Sequence, residues 1–382
     1  MSVQLPITDF FTEMPSAPAI IRRIRKPSLT TFKGALPRAS VPSWKFDKAQ
    51  RVESDFTQYF QSNMGVCLEL EYNPRHGGPC SRSWRNEIDN ERNMIWDIDA
   101  DTTLQTGGEE FVIKADPMPS EEFAQRLPLQ VFRDHFRTGP NASTHSHAIL
   151  LPYAEHKPVP IQIAKNAWQL FRTFYPGWVY LFGNHKGKML RSSWAVWESS
   201  QYKTSAFASG WEDVCVHNKR GKSGLSFSDC TNGHMDYDHQ IPLDNPIHRL
   251  NAEIRTSDST QELDQIIALR ALTKALFVRA ADLANMGVIE LPDKRRMLAE
   301  AIAADIERSV TIHYSCGGGE AYEATDKPKT DFSLEARVSQ LCGRIAVAFY
   351  NEVKPYLSTF EKRCVKSCII RPVRQRGVIL ES

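Results

Sequence analysis

The chain has 382 residues, of which 41% are hydrophobic and 24% charged, with a formal net charge of +2. That profile fits an ordinary globular protein of two or three domains with a sizeable core. The near-neutral balance announces no nucleic-acid partner by itself, and no apolar run reaches the ~18 residues that a membrane span needs.

The N-terminus has Asp9 and Glu13 in its first turns and lacks the apolar core of a secretion signal. Eight unevenly spaced cysteines read as reduced thiols rather than a disulfide framework. The expected location is therefore the cytoplasm, with no membrane partner. Basic residues gather locally at 22–26, 186–191, 219–222 and 371–376. Such patches can meet a phosphate backbone, or simply be solvated faces.

In chain order, residues 1–45 are Pro-rich with little periodicity and read as a disordered arm. Met64 to Leu70 reads as a strand, and 73–79 has turn chemistry or forms a phosphate-facing loop. Arg82 and Arg85 precede a second strand, Met94 to Asp101, in which period-two alternation puts Asp97 and Asp99 on one face and Ile98 on the other. Paired carboxylates resist burial unless a cation lies between them, and Mg²⁺ or Mn²⁺ takes such oxygen ligands together with substrate phosphates.

A strand at Glu110–Ile113, a short helix from Ser120 and a strand at Gln130–Phe132 are predicted next. His145 and His147 then share a face of the strand Ser143 to Leu151. An amphipathic helix spans Pro160 to Phe174, followed by strands at Trp178–Phe182 and Ser192–Trp197. Trp194, Trp197, Tyr202, Phe207 and Trp211 fill a core or stack bases. Cys215, His217, Cys230 and His234 bracket a polar loop; they are unlinked side chains or a structural Zn²⁺ site of unusual spacing. Asp244 to Asp258 reads as a linker. Amphipathic helices follow over Ser259–Met286, Lys294–His313 and Ser333–Tyr350, a helical module at 259–382 behind a domain at 46–250.

The apolar strand ending in Asp97-x-Asp99, with the later strand carrying His147, resembles the archaeo-eukaryotic primase superfamily, closest to its plasmid- and phage-borne replicases and primase-polymerases. Tyr175-Pro176-Gly177 and Gly183-Asn184-His185-Lys186 are similar to an element those replicases place after the next helix. The likeness covers roughly residues 85 to 200. The third acid usual in the family is missing from Trp178–Phe182, and Glu198 is the nearest substitute.

The resemblance implies an α+β fold, with a primase-like, RNA-recognition-like mixed sheet followed by the α-helical module. It implies a DNA-replication nucleotidyl transferase working by two-metal transfer onto a primer 3′-hydroxyl. Asp97 and Asp99 would hold Mg²⁺ or Mn²⁺ beside His147 on an adjacent strand. His145, Asn184, Lys186, Lys188 and Arg191 would meet nucleotide phosphate. The partners would be nucleoside triphosphates, single-stranded template and origin duplex DNA. Two rivals stand beside it. One is a rolling-circle endonuclease using His145 and His147 with a tyrosine such as Tyr350, which has Lys354 one turn on. The other is a non-catalytic DNA-binding initiator.

Overall fold

The computed structural model describes residues 42–75, 95–99, 104, 107–115, 118–139, 142–150, 157–183, 225–229, 246–290 and 332–370. In chain order these form β1 (Lys45–Asp47), α1 (Thr57–Asn63), β2 (Met64–Pro74), β3 (Ile95–Asp99), β4 (Glu109–Ile113), α2 (Ser120–Arg126), α3 (Leu129–His135), β5 (Phe136–Arg137) and β6 (Ser143–Leu150). Then come α4 (Ile161–Phe182), β7 (Leu225–Asp229), β8 (Leu250–Asp258), α5 (Leu263–Ala284), β9 (Val288–Glu290), α6 (Phe332–Val353) and α7 (Thr359–Ile370).

The fold is α+β. An antiparallel sheet runs in the order β3-β4-β2-β6-β8-β7, with β5 pairing the end of β2. Alternation sorts its side chains cleanly. Val66, Leu68, Leu70 and Tyr72 of β2, Phe111 and Ile113 of β4, Ala148 and Leu150 of β6 and Ala252 and Ile254 of β8 are all buried. This apolar face packs on α5, which meets β2 and β6, and on α4, which meets β7 and β8. Buried side chains surround α5 almost completely, as expected of a helix enclosed by a sheet and other helices. The sheet–helix contact also carries a few matched polar pairs. Ser146 Oγ and Thr273 Oγ1 lie 2.9 Å apart, and Trp178 Nε1 donates to Ser257 Oγ at 3.1 Å.

A second helical layer, α6 and α7, lies on α4 and α5. Gly177 makes the α4–α6 approach possible, since a Cβ there would meet the Ala346 backbone at 2.6 Å. β1 pairs with β9 in a separate two-stranded sheet. Among the described residues, no helix is long and apolar enough to cross a membrane.

Several sequence expectations are corrected. Trp178–Phe182 is not a strand but the last part of α4, which runs through Pro176 and Gly177. Burial of Trp178, Leu181 and Phe182 overrides the local break. Gln130–Phe132 lies in helix α3, where Phe132 packs against Tyr72 and Phe111. The expected linker 244–258 contains β8, an inner strand of the sheet, because Leu250, Ala252 and Ile254 alternate with polar residues. α5 packs directly on β2 and β6, so the described residues of α5, α6 and α7 share one core with the sheet.

Candidate metal centre

The opposite face of the sheet is polar. The register sets Glu69 of β2 against His145 of β6, Cys67 against His147, and His147 against Glu253 of β8. Glu71, His145, His147, Asn251 and Glu253 are all buried with Glu69 on this face. Each occupies an alternate position, so the apolar neighbours that anchor the strands to the helices aim these side chains the other way.

One ligand atom each from Glu69, His147 and Glu253 lie within 4.8 Å of one another, so the three can hold a metal ion. His147 Nε2 stands 3.0 Å from Glu69 Oε1 and 3.7 Å from Glu253 Oε1. His147 Nδ1 is buried without a hydrogen-bond partner among the described residues. The other Glu69 oxygen, Oε2, is 2.9 Å from His145 Nδ1, and His145 Nε2 pairs with Ser143 Oγ at 2.8 Å. Glu71 receives a hydrogen bond from the Ser143 backbone N–H at 2.9 Å, and its Oε1 is 3.6 Å from His145 Nε2. Arg255 Nε meets Glu253 Oε1 at 2.6 Å.

The charges in this layer control one another. Burial would lower the His147 pKa, but the Glu69 and Glu253 carboxylates outweigh it and hold the imidazole up at about 9. Burial would raise that of Glu69. The positive charge of His147 and hydrogen bonds from both histidines instead hold its carboxyl well below the usual range. Burial, together with Glu69, Glu110 and Glu253, pushes the Cys67 thiol up, which places it as a neutral neighbour of the carboxylates. Desolvating each such charge costs several kcal/mol. Clusters of this kind concentrate at functional sites.

The sequence singled out His145 and His147, and the structure brings both into this centre. It places Asp97 and Asp99 elsewhere. By register they share the polar face, as Asp97 pairs with Val112 and Val112 with Glu69. The expected adjacency is not met, because β4 and β2 separate β3 from β6, roughly 14 Å at the usual strand spacing. Both aspartates are exposed on the edge strand, and Asp97 Oδ1 accepts from the Ile98 N–H at 2.8 Å. Tyr350 is buried in α6, in the helical layers against the sheet's other face, with the Lys366 ammonium over its ring. The endonuclease's tyrosine and histidines are therefore not brought together. Arg82, Arg85, Asn184, Lys186, Lys188, Arg191, Glu198, the expected aromatic stackers and the Zn²⁺ candidates Cys215, His217, Cys230 and His234 lie outside the described residues.

Glu69, Glu71 and Glu253 escaped the sequence reading. Their signal was the alternation of carboxylates with apolar residues in Cys67-Leu68-Glu69-Leu70-Glu71 and Ala252-Glu253-Ile254-Arg255.

No family model matches the chain, and no curated protein matches it. Among solved structures it is similar to a chain from the crystal structure of the complex between the prokaryotic ubiquitin-like protein Pup and its ligase PafA. The identity is 13% and the TM-score 0.35, over 84% of this chain and 70% of that one. At that TM-score the likeness fixes neither a fold nor an activity.

Proposed function

We propose that the protein is a divalent-metal-dependent phosphoryl-transfer enzyme acting with a nucleoside triphosphate. The observation that carries this reading is the convergence of Glu69, His147 and Glu253 on a common ligand position, with Glu71 and His145 beside them. Two carboxylates and one imidazole make a mostly oxygen ligand set, which suits Mn²⁺ or Mg²⁺, cations that usually keep open positions for substrate phosphates. A cation held there would neutralise charge on the transferring phosphoryl group and fix its orientation. Ser143 holds His145 in place, and His145 in turn orients Glu69.

The test is Mn²⁺ binding, followed by electron paramagnetic resonance, and metal-dependent nucleotide turnover, in the wild type and in Glu69→Gln and Glu253→Gln. Both properties should be lost in the variants. Failure of the wild type to bind Mn²⁺, or turnover unchanged in both variants, overturns the reading.

Nucleotidyl transfer onto a primer, the chemistry of the primase-type family that 85–200 resembles, is one member of this class. It draws on Asp97 and Asp99, so the double variant Asp97→Ala, Asp99→Ala separates it from the general reading. Loss of primer extension in that variant, with Mn²⁺ binding kept, would support the finer reading. DNA binding without any turnover would favour the non-catalytic initiator.

A further inference from the structure

The strand β8 is not regular where it passes the centre. Ile254 faces the helices, and so does Ser257, which takes the Trp178 hydrogen bond. Same-face residues of a regular strand are two apart; these are three apart. The pairing shows why. Ser146 opposes Ile254 and Thr144 opposes Ser257, so His145 alone faces both Arg255 and Thr256. That is a β-bulge, a device that re-aims side chains and recurs beside active sites.

The bulge sets Arg255 and Thr256 together opposite His145. Arg255 has a side chain 36% exposed, whereas that of its partner Glu253 is 5% exposed. Its charge is felt at His147. Thr256 is fully buried, and its Oγ1 has no hydrogen-bond partner among the described residues. A guanidinium has five N–H donors and no acceptor, so it cannot bind a metal. The Nε of Arg255 meets the carboxylate of Glu253, itself a candidate metal ligand, at 2.6 Å, so the guanidinium stands one carboxylate away from the metal position. The planar fork of arginine suits an oxyanion bound at that position.

We propose that Arg255 binds the oxyanion of the metal-bound substrate, a phosphate or carboxylate group, with the Thr256 hydroxyl beside it. This rests on the metal centre proposed above and names the substrate feature that the centre selects. Arg255 is then a specificity residue rather than only a counter-charge for Glu253.

The test compares wild type, Arg255→Gln and Arg255→Lys by calorimetry. Mn²⁺ is titrated first. ATP, pyrophosphate and succinate are then titrated into the Mn²⁺-loaded proteins. In Arg255→Gln, oxyanion affinity at saturating Mn²⁺ should fall about 10- to 100-fold, the worth of a charged hydrogen bond. Arg255→Lys should recover part of it through a single contact. Losses with ATP and pyrophosphate assign the site to phosphate; a loss with succinate alone assigns it to carboxylate.

Unchanged affinity for all three probes overturns the inference. So does a tenfold loss of Mn²⁺ affinity with unchanged thermal unfolding, because Arg255 would then merely orient Glu253. If Arg255→Gln does not fold, Arg255→Lys, which keeps the charge against Glu253, carries the comparison. If the wild type binds no Mn²⁺, the metal reading falls on its own. Metal-free binding of ATP or pyrophosphate, lost in the Arg255 variants, would still uphold the oxyanion site, and its absence would sink both.

Discussion

The two faces of β2, β6 and β8 are made of the same strands and do opposite work. On one face Leu68, Leu70, Ala148 and Ile254 lose water to α4 and α5. On the other, at alternate positions, Glu69, Glu71, His145, His147 and Glu253 are buried with charges that no apolar core would choose. The first face supplies stability and could be replaced by any well-packed set of similar volume. The second carries a desolvation cost that its own ion pairs offset, and its residues are fixed by chemistry rather than by volume. The rigid apolar face is what allows the polar face to hold its groups within bonding distance of one another.

The comparison can be broken most forcefully from the apolar side. Leu68→Ala or Phe111→Ala should lower unfolding free energy by about 2–5 kcal/mol in urea titrations, while the protein that remains folded keeps its Mn²⁺ affinity. An apolar-face variant that loses metal affinity without losing stability would contradict the division between faces. On the polar side, Glu253→Gln should weaken Mn²⁺ binding beyond the about 10- to 100-fold typical of outer-shell changes, with a far smaller effect on folding.

Acidity sharpens the contrast. His147 is held up at about 9, above its ordinary 6.5, so its contribution to the metal-free protein is fully present below about 6.5 and lost as pH rises through about 9. Metal needs the neutral imidazole, so Mn²⁺ affinity should move the opposite way and rise over that window. Urea midpoints of the metal-free protein at several pH values, beside Mn²⁺ titrations, check both slopes. His147→Gln should flatten them. Glu69 has the opposite sign: its depressed carboxyl stabilises above about 4.5, and that part disappears as the solution is made more acidic.

The smallest effect lies away from both faces. Gly177→Ala should cost about 1–3 kcal/mol by driving α6 off α4, with Mn²⁺ affinity unchanged. A shift in metal affinity there would show that the helical layers tune the centre.

Much of the scaffold was legible because its periods are local. The helices at Ser259–Met286 and Ser333–Tyr350 appear as α5 and α6, and the strands around Leu68, Phe111 and His147 appear as read. His147 could be picked out because a second histidine shares its face. Glu69 and Glu253 could not, because what gives them meaning is cross-strand pairing, and one-dimensional alternation does not encode partners. Glu253 was further hidden in a polar stretch read as a linker. The attention drawn by Asp97 and Asp99 came from a compact acidic motif, which says nothing of how many strands stand between it and the histidines.

The spacing of the centre along the chain has a kinetic consequence. Glu69 and His145 are 76 residues apart, and Glu253 joins from a strand more distant still. Such pairings close long loops, and their entropy must be met before any contact rewards it, so they form late and slowly. The centre does not exist until β2, β6 and β8 are all in register. A cation that binds only this assembled state should leave the folding rate almost untouched and act on the unfolding rate instead. Metal loading would then lengthen the lifetime of the finished molecule without hastening its birth.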